Sequence, residues 1–131
     1  MKREEIQRLI RIAEEQMSHA YAPYSHFQVG AALLTAGGKV YAGCNIENAS
    51  YGLTNCAERT AIFNAVSDGK RNISAIAIVA DTDKPCSPCG ACRQVIGEFK
   101  IPCIIMANLK GEYKTVTLEE LLPFSFSNTD L

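Results

Sequence analysis

Apolar residues recur near the start of the chain with the spacing of an amphipathic helix. Within residues 2–19 they fall on one stripe, with three or four residues between successive members. The stripe consists of Ile6, Leu9, Ile10, Ala13 and Met17. The following segment, AYAPYSH, contains Pro23, which interrupts the pattern. We therefore predict a helix over residues 2–19 that packs one face on the core, followed by a loop.

The pattern then changes to short apolar runs separated by turn residues. Residues 28–47 predict a hairpin, with strands at 28–35 and 39–47 and a turn at Gly37 and Gly38. Alternation along the second strand divides its residues between a core face and an opposite face. The predicted core face carries Val40, Ala42, Cys44 and Ile46, and the opposite face carries Tyr41, Gly43, Asn45 and Glu47.

The rest of the chain alternates helical and strand patterns. TNCAERTAIFNAVSDG and PCGACRQVIGEF predict helices, with Pro88 near the first turn of the second; ISAIAIVAD, IPCIIMANL and EYKTV predict strands, and LEELLPF a short helix. Only LKGE separates the last two strands, which is too short for a parallel crossover. We therefore predict an α/β fold, in which a mixed sheet of about five strands, the last two antiparallel, lies between helices.

Length and charge exclude several classes of protein. A chain of 131 residues suits one domain, spanning 1–131, and a net charge of −1 does not suggest a nucleic-acid-binding face. We find no apolar run long enough for a membrane span, and the charged N-terminus does not resemble a signal peptide. We therefore expect a cytoplasmic protein whose six cysteines stay reduced.

Cysteines and one glutamate form the pattern that predicts chemistry. Cys56 is followed two residues later by Glu58, and Cys89 and Cys92 follow Pro88 with the spacing Pro-Cys-x-x-Cys. This arrangement is the signature of zinc deaminases. Three thiolates leave one tetrahedral position of zinc open for water, which is typical of a catalytic site.

Two alternatives need no catalysis. Cys86 could join the other three cysteines in a structural four-thiolate site, although the proline at position 88 should keep it in a loop. Glu58 could form a capping box with Asn55. The remaining cysteines, Cys44 and Cys103, are interpreted as small packing residues.

Asn45 and Glu47 are a further candidate pair. Alternation predicts that the two side chains point the same way. An amide and a carboxylate side by side can bind a diol such as a ribose, whereas the alternative is a solvated strand face.

Three segments resemble the small, homotetrameric type of cytidine deaminase. They are YAPYSHFQVGAAL, GCNIENASYGLTNCAERTAIFNAVSDG and CSPCGACRQVIGEF, and the tail segment LLPFSF is similar as well. The resemblance implies a three-layer α/β/α cytidine deaminase-like fold. It also implies one Zn²⁺ per chain on Cys56, Cys89 and Cys92, with Glu58 as proton shuttle.

The resemblance further implies the substrate contacts. Phe27 would stack near the pyrimidine, Asn45 and Glu47 would bind the ribose, and the backbone of Ala57 would contact the base. Arg59 would donate hydrogen bonds to the cysteine sulfurs. A neighbouring subunit's pocket would be completed by Ala49, Tyr51 and Phe126.

The implied reaction is hydrolysis of cytidine or deoxycytidine to uridine or deoxyuridine and ammonia, in pyrimidine salvage, by a homotetramer with shared active sites. Blasticidin S deaminases and polynucleotide deaminases share the zinc motifs. The context PYSHFQVGAAL and NIENASYG argues against the first, and the short LKGE turn argues against the second. A structural zinc module that binds a protein partner is the alternative from a different class.

Overall fold

The computed structural model describes residues 1–131 and contains one mixed sheet covered by helices on both faces. In chain order the elements are α1 (Arg3–Met17), β1 (Val29–Thr35), β2 (Val40–Cys44), α2 (Ala57–Ser67), β3 (Ile73–Ala80), α3 (Gly90–Glu98), β4 (Cys103–Asn108), β5 (Tyr113–Thr117) and α4 (Leu118–Leu121). Short 3₁₀ turns cover Tyr51–Leu53 and Asn128–Asp130. The three-layer α/β/α prediction is confirmed.

The five strands lie in the order β2-β1-β3-β4-β5. Strand β1 is antiparallel to both β2 and β3, whereas β3 and β4 are parallel and are connected through α3. Strands β4 and β5 are antiparallel, with Ile104 opposite Val116. The predicted antiparallel pairing across the LKGE turn is therefore confirmed.

Helix α1 covers one face of the sheet by itself. Four of its predicted stripe residues, Ile6, Leu9, Ala13 and Met17, are buried, and Ile10 is partly buried at the edge of the stripe. Because this helix has only 15 residues and charged turns, it does not resemble a membrane span. None of the other helices is long and apolar enough to cross a membrane either.

Helices α2 and α3 pack on the opposite face, where the larger part of the core lies. Ile62 of α2 and Ile96 of α3 are fully buried against isoleucines of the central strands. The first turns of both helices lie together on this face, which makes it the face that positions the cysteines.

Two glycines allow the helices to approach the sheet closely. A Cβ atom at Gly30 would lie 1.8 Å from the carbonyl oxygen of Ala13 in α1. On the other face, a Cβ atom at Gly43 would lie 2.5 Å from the backbone nitrogen of Ala61 in α2. Only glycine therefore fits at these two positions with the helices at their observed depth.

The second strand is shorter than the sequence pattern predicts. Strand β2 ends at Cys44, and beyond it the predicted alternation fails, because Asn45 is buried whereas Ile46 is 45% exposed. The backbone of Ile46 pairs with Tyr21 on one side and Asn55 on the other, so the chain has already left β1. Placing Ile46 on the core face was therefore wrong, and Asn45 and Glu47 follow the strand.

The predicted helices also begin later than their sequence patterns suggest. Helix α2 begins at Ala57 and helix α3 at Gly90. Pro88 directly precedes the N-cap residue of α3 and is therefore near its first turn, as predicted. Each helix starts immediately after one of the candidate zinc ligands.

Candidate active site

Cys56 and Cys89 occupy equivalent positions on two helices. Each is the N-cap residue, with extended backbone angles, and neither side chain makes a capping hydrogen bond. Their sulfur atoms are therefore directed away from the helix backbone and toward each other. Cys92, three residues after Cys89, is fully buried in the first turn of α3 on the same side.

The three sulfur atoms have the spacing of a zinc site. All lie within 4.8 Å of one another, and the Sγ atoms of Cys56 and Cys89 are 3.8 Å apart. A tetrahedral zinc ion with Zn–S bonds of about 2.3 Å holds its sulfurs about 3.8 Å apart. Cys56, Cys89 and Cys92 therefore fit one zinc ion and leave one coordination position without a protein ligand.

Cys86 does not belong to this cluster. It lies in the loop before α3, and its thiol is directed at the carbonyl oxygen of Ser87, 3.9 Å away. Burial raises the pKa of the Cys86 thiol to about 11, so it remains protonated at neutral pH. Because only the sulfurs of Cys56, Cys89 and Cys92 converge, the four-thiolate alternative lacks its fourth ligand.

The groups around the sulfur atoms favour the thiolate form of Cys56 and the protonated form of Cys92. Hydrogen bonds from Cys92 and Arg59 lower the pKa of Cys56 to about 5, and the bond between the two cysteines, together with burial, raises the pKa of Cys92. The Nη2 atom of Arg59 lies 3.4 Å from the sulfur of Cys56, and its buried Nε atom has no hydrogen-bond partner. The N-termini of α2 and α3 add further positive potential.

Glu58 lies inside the protein beside the sulfur atoms. Its residue is only 4% exposed, and burial raises the pKa of its carboxyl group to about 7. The capping-box alternative is wrong, because Cys56 and not Asn55 is the N-cap residue, and the Asn55 amide donates to Thr60 instead. Glu58 is therefore a buried carboxyl group without a capping role, next to a metal-binding cluster.

A cavity of about 180 Å³ opens in front of this cluster. Its wall includes Phe27, Asn45, Ala57, Glu58, Cys86 and Cys89. An outer cleft of about 390 Å³ adjoins it, since Thr54 lines both. The inner cavity alone is smaller than a usual ligand site of about 300–1,000 Å³, whereas the two together fall within that range.

The side chains of Asn45 and Glu47 both form hydrogen bonds to the loop between α1 and β1, and Asn45 also bonds to the first residue of β1. The Asn45 side chain accepts from the backbone nitrogen of Val29 at 2.9 Å and donates to the carbonyl oxygen of Phe27 at 2.7 Å. Glu47 accepts from the backbone nitrogens of Tyr24 and Ser25 and lines the outer cleft. The two predicted ribose ligands thus lie in adjoining cavities.

The remaining predicted contacts lie at the surface. Tyr51 is 76% exposed in the outer cleft, where its ring meets that of Tyr24 edge to face at 6.1 Å. Ala49 and Phe126 are exposed and line neither cavity of their own chain. Within one chain, the structure therefore brings together the zinc ligands, Glu58 and the base-side residues, but not Ala49 or Phe126.

Arg93 is a structural residue of the site that the sequence patterns do not identify. Its guanidinium group donates to the carbonyl oxygens of Pro88 and Leu121, both at 2.9 Å, and to the hydroxyl of Ser87 at 2.7 Å. It therefore links the loop before Cys89 to the end of α4. Its position directly after Cys92 is the only sequence feature that could have pointed to this role.

Comparison with known proteins finds the same family that the sequence motifs resemble. Residues 3–108 match the family model described as the cytidine and deoxycytidylate deaminase zinc-binding region. A cytidine deaminase from Sporosarcina psychrophila is 54% identical over 130 residues, covering 97% of this chain and 95% of its own length. A blasticidin-S deaminase from Bacillus cereus is more distant, at 32% identity over 127 residues, covering 91% of this chain and 90% of its own length.

A solved structure agrees with the fold. The crystal structure of a cytidine deaminase from Burkholderia pseudomallei superposes with a TM-score of 0.90 at 48% identity, covering 96% of this chain and 100% of that one. The similarity therefore extends through the sheet and the helices that position the cysteines.

Proposed function

Because this chain belongs to the cytidine and deoxycytidylate deaminase family, we propose that it is a zinc-dependent enzyme that hydrolyses cytidine and deoxycytidine. The products are uridine or deoxyuridine and ammonia, as in pyrimidine salvage. The observation that carries the proposal is the position of buried Glu58 beside three sulfurs with zinc spacing. The proposal treats residues 1–131 as one deaminase domain.

Glu58 performs the proton transfers. Cys56, Cys89 and Cys92 would hold a Zn²⁺ ion, which would supply the Lewis acidity that lowers the pKa of water toward neutrality. Glu58 accepts a proton from the water that attacks C4 of the base, and it delivers that proton to N3. It then transfers the second proton, from the oxygen now bonded to C4, to the amino group; the C4–N bond breaks, ammonia leaves and C4 keeps the oxygen as a carbonyl. A carboxyl pKa of about 7 suits a group that must both accept and donate near neutral pH.

Arg59 and the two helix N-termini compensate the charge of the ligands. Three thiolates and one Zn²⁺ carry a net charge of −1, which weakens Lewis acidity. The Arg59 guanidinium donates to the sulfur of Cys56, which withdraws charge from that ligand. The N-termini of α2 and α3 lie beside Cys56 and Cys89 and act in the same direction.

The two cavities would bind different parts of the substrate. The inner cavity would receive the pyrimidine, with Phe27 along the ring and the backbone of Ala57 at its polar edge. The ribose would lie toward the outer cleft, where Asn45 and Glu47 would contact its 3′-hydroxyl. A base placed this way has its C4 directed toward the sulfur cluster and Glu58.

The assembly we propose is a homotetramer with shared active sites, located in the cytoplasm. Exposed aromatic residues motivate the assembly, since Phe126 is 62% exposed in a tail that contributes no residue to the core. Ala49, Tyr51 and Phe126 would close a neighbouring subunit's site, and closed symmetry is the usual arrangement for identical chains. A reducing compartment keeps the three ligand thiols available for zinc.

Ultraviolet absorbance of cytidine, followed with purified protein, tests the function. We expect conversion to uridine, loss of activity after treatment with a chelator, and recovery when Zn²⁺ is added back. Blasticidin S provides a comparison substrate, and we expect cytidine to be converted faster. Zinc-loaded protein that deaminates neither compound would favour a structural zinc module, and preference for blasticidin S would refute the assigned substrate.

A further inference from the structure

The loop between α1 and β1 holds Phe27 by its backbone. The backbone nitrogen of Phe27 donates to the hydroxyl oxygen of Ser25 at 3.0 Å, and its carbonyl oxygen accepts from the Asn45 amide at 2.7 Å. The Phe27 residue is 43% exposed, so packing covers only part of its ring. These two hydrogen bonds therefore hold the Phe27 backbone on both sides of its Cα atom.

Ser25 also contacts Glu47 twice. Its backbone nitrogen donates to Oε1 of Glu47 at 3.1 Å, and its hydroxyl donates to Oε2. Tyr24 adds a third bond from its backbone nitrogen to Oε1 at 3.0 Å. The bond from the Ser25 hydroxyl is the largest effect that lowers the pKa of Glu47, so this carboxylate stays ionised at neutral pH.

The single hydroxyl of Ser25 thus joins two residues that face different parts of the site. It donates to Glu47 in the outer cleft and accepts from Phe27 at the inner cavity. His26, which lies between Ser25 and Phe27 in the chain, has a φ of 58°, a left-handed conformation that is uncommon for non-glycine residues. A backbone in this conformation persists only where surrounding contacts hold it.

We propose that Ser25 is a positioning residue that couples Glu47 to Phe27, so that the ribose and base sides of the site are set by one hydroxyl group. This inference rests on the proposed function for its kinetic consequence. The hydrogen bonds of Ser25 go to Glu47 and Phe27 and not to the sulfur cluster or Glu58, so its loss should leave the proton transfers intact. It acts on how the nucleoside is held.

Kinetics of Ser25→Ala provide the first test. Loss of one such hydrogen bond should raise KM about tenfold while kcat changes less than about twofold. Ser25→Thr keeps the hydroxyl and should remain within about threefold of the wild-type KM. Ser18→Ala is the matched control, because Ser18 is an exposed serine whose hydroxyl bonds only within its own helical turn. An unchanged KM in Ser25→Ala would overturn the proposal.

A double-mutant cycle with Glu47 separates coupling from a general effect on the loop. If Ser25 acts through Glu47, Ser25→Ala should raise KM less than about threefold in a Glu47→Gln background, because the charged partner of the hydroxyl is already absent. A full tenfold increase in that background would show independent action and would contradict the coupling.

Crystal structures of the zinc-loaded variants give a readout that does not depend on activity. In Ser25→Ala we expect Phe27 to be displaced and His26 to leave the left-handed region, whereas Ser25→Thr should keep both. An unmoved Phe27 in Ser25→Ala would refute the positioning role. If the wild-type protein fails to deaminate cytidine, the proposed function fails, and the crystal structures still decide whether Ser25 holds Phe27.

Discussion

The metal end and the outer end of the site are built in different ways. At the metal end Cys92, Ala57 and Glu58 are buried, and each lies in the first turn of a helix that packs on the central sheet. At the outer end Tyr51 is 76% exposed in a short turn that lines the outer cleft, and Phe126, 62% exposed in the tail, lines neither cavity of its own chain. One chain thus assembles the whole sulfur cluster with Glu58 by itself, whereas the proposed aromatic walls are not assembled within one chain.

The difference follows from what each end must do. Groups that share an ion must be held to within fractions of an ångström, and helix termini on a packed sheet provide that precision. The depth of α2 on the sheet depends on Gly43, whose missing side chain lets the backbone at Ala61 approach. Aromatic walls need only surround the ligand, so loops and neighbouring chains can supply them.

The largest effect should come from removing a zinc ligand. We expect Cys56→Ser, Cys89→Ser and Cys92→Ser each to lose the ion or bind it weakly, because serine does not supply a thiolate. Cys86→Ser is the matched control and should keep one zinc per chain, since its thiol lies outside the cluster. Metal content per folded chain measures this. Zinc loss in the Cys86 variant with the fold intact would restore the four-thiolate site.

The next effect isolates the proton shuttle from metal binding. Glu58→Gln should retain zinc but lose about two to four powers of ten in turnover, because an amide cannot carry the proton between water and base. Steady-state kinetics together with metal analysis separate the two properties. Turnover close to the wild-type rate would show that Glu58 is not the shuttle.

Much of the metal end could be predicted from sequence, because it depends on local spacing. Cys89 and Cys92 share a helical face through their separation of three, and the LKGE turn leaves only an antiparallel pairing for the last strands. The position of Ile46 could not be predicted, because β2 ends where bridges to Tyr21 and Asn55 draw the chain away from β1. Alternation along one segment contains no information about such distant partners.

Residues that act through backbone contacts could not be predicted from the sequence either. Arg93 donates to carbonyl oxygens of Pro88 and Leu121, and any residue type can present a carbonyl at those positions. The contacts of Ser25 depend on the left-handed backbone conformation of His26, which the sequence patterns do not predict. Their roles follow from the three-dimensional path of the chain.

A substitution that pushes α2 away from the sheet tests whether the protein depends on the close packing of these two elements. Gly43→Ala places a Cβ atom 2.5 Å from a backbone nitrogen of α2, which should lower the free energy of unfolding by about 1–3 kcal/mol. Gly37→Ala is the control, because a Cβ atom there meets nothing within 4 Å. Urea denaturation of the zinc-loaded proteins measures both. Equal stability of Gly43→Ala and wild type would show that the approach is not constrained.

The smallest expected effect is the recovery of activity when two inactive variants form mixed oligomers. One variant carries Glu58→Gln, and the other ends before Ser125 and so lacks Phe126. If a site takes Glu58 from one chain and Phe126 from another, random mixing of equal amounts should give about a quarter of sites with both. After joint unfolding and reassembly, cytidine turnover of the mixture should exceed that of either variant alone.

The control is the same mixture without reassembly, in which each variant stays in its own oligomer and no hybrid site can form. Sedimentation and mass analysis must show mixed oligomers before the kinetics are interpreted. Tyr51 is less suited than the tail to this test, because it lines the outer cleft of its own chain and its removal could damage both partners of a shared site. Verified mixed oligomers without any gain in turnover, or a fully active monomer, would mean that one chain closes its site alone. The contrast between a complete metal end and an incomplete outer end would then be wrong.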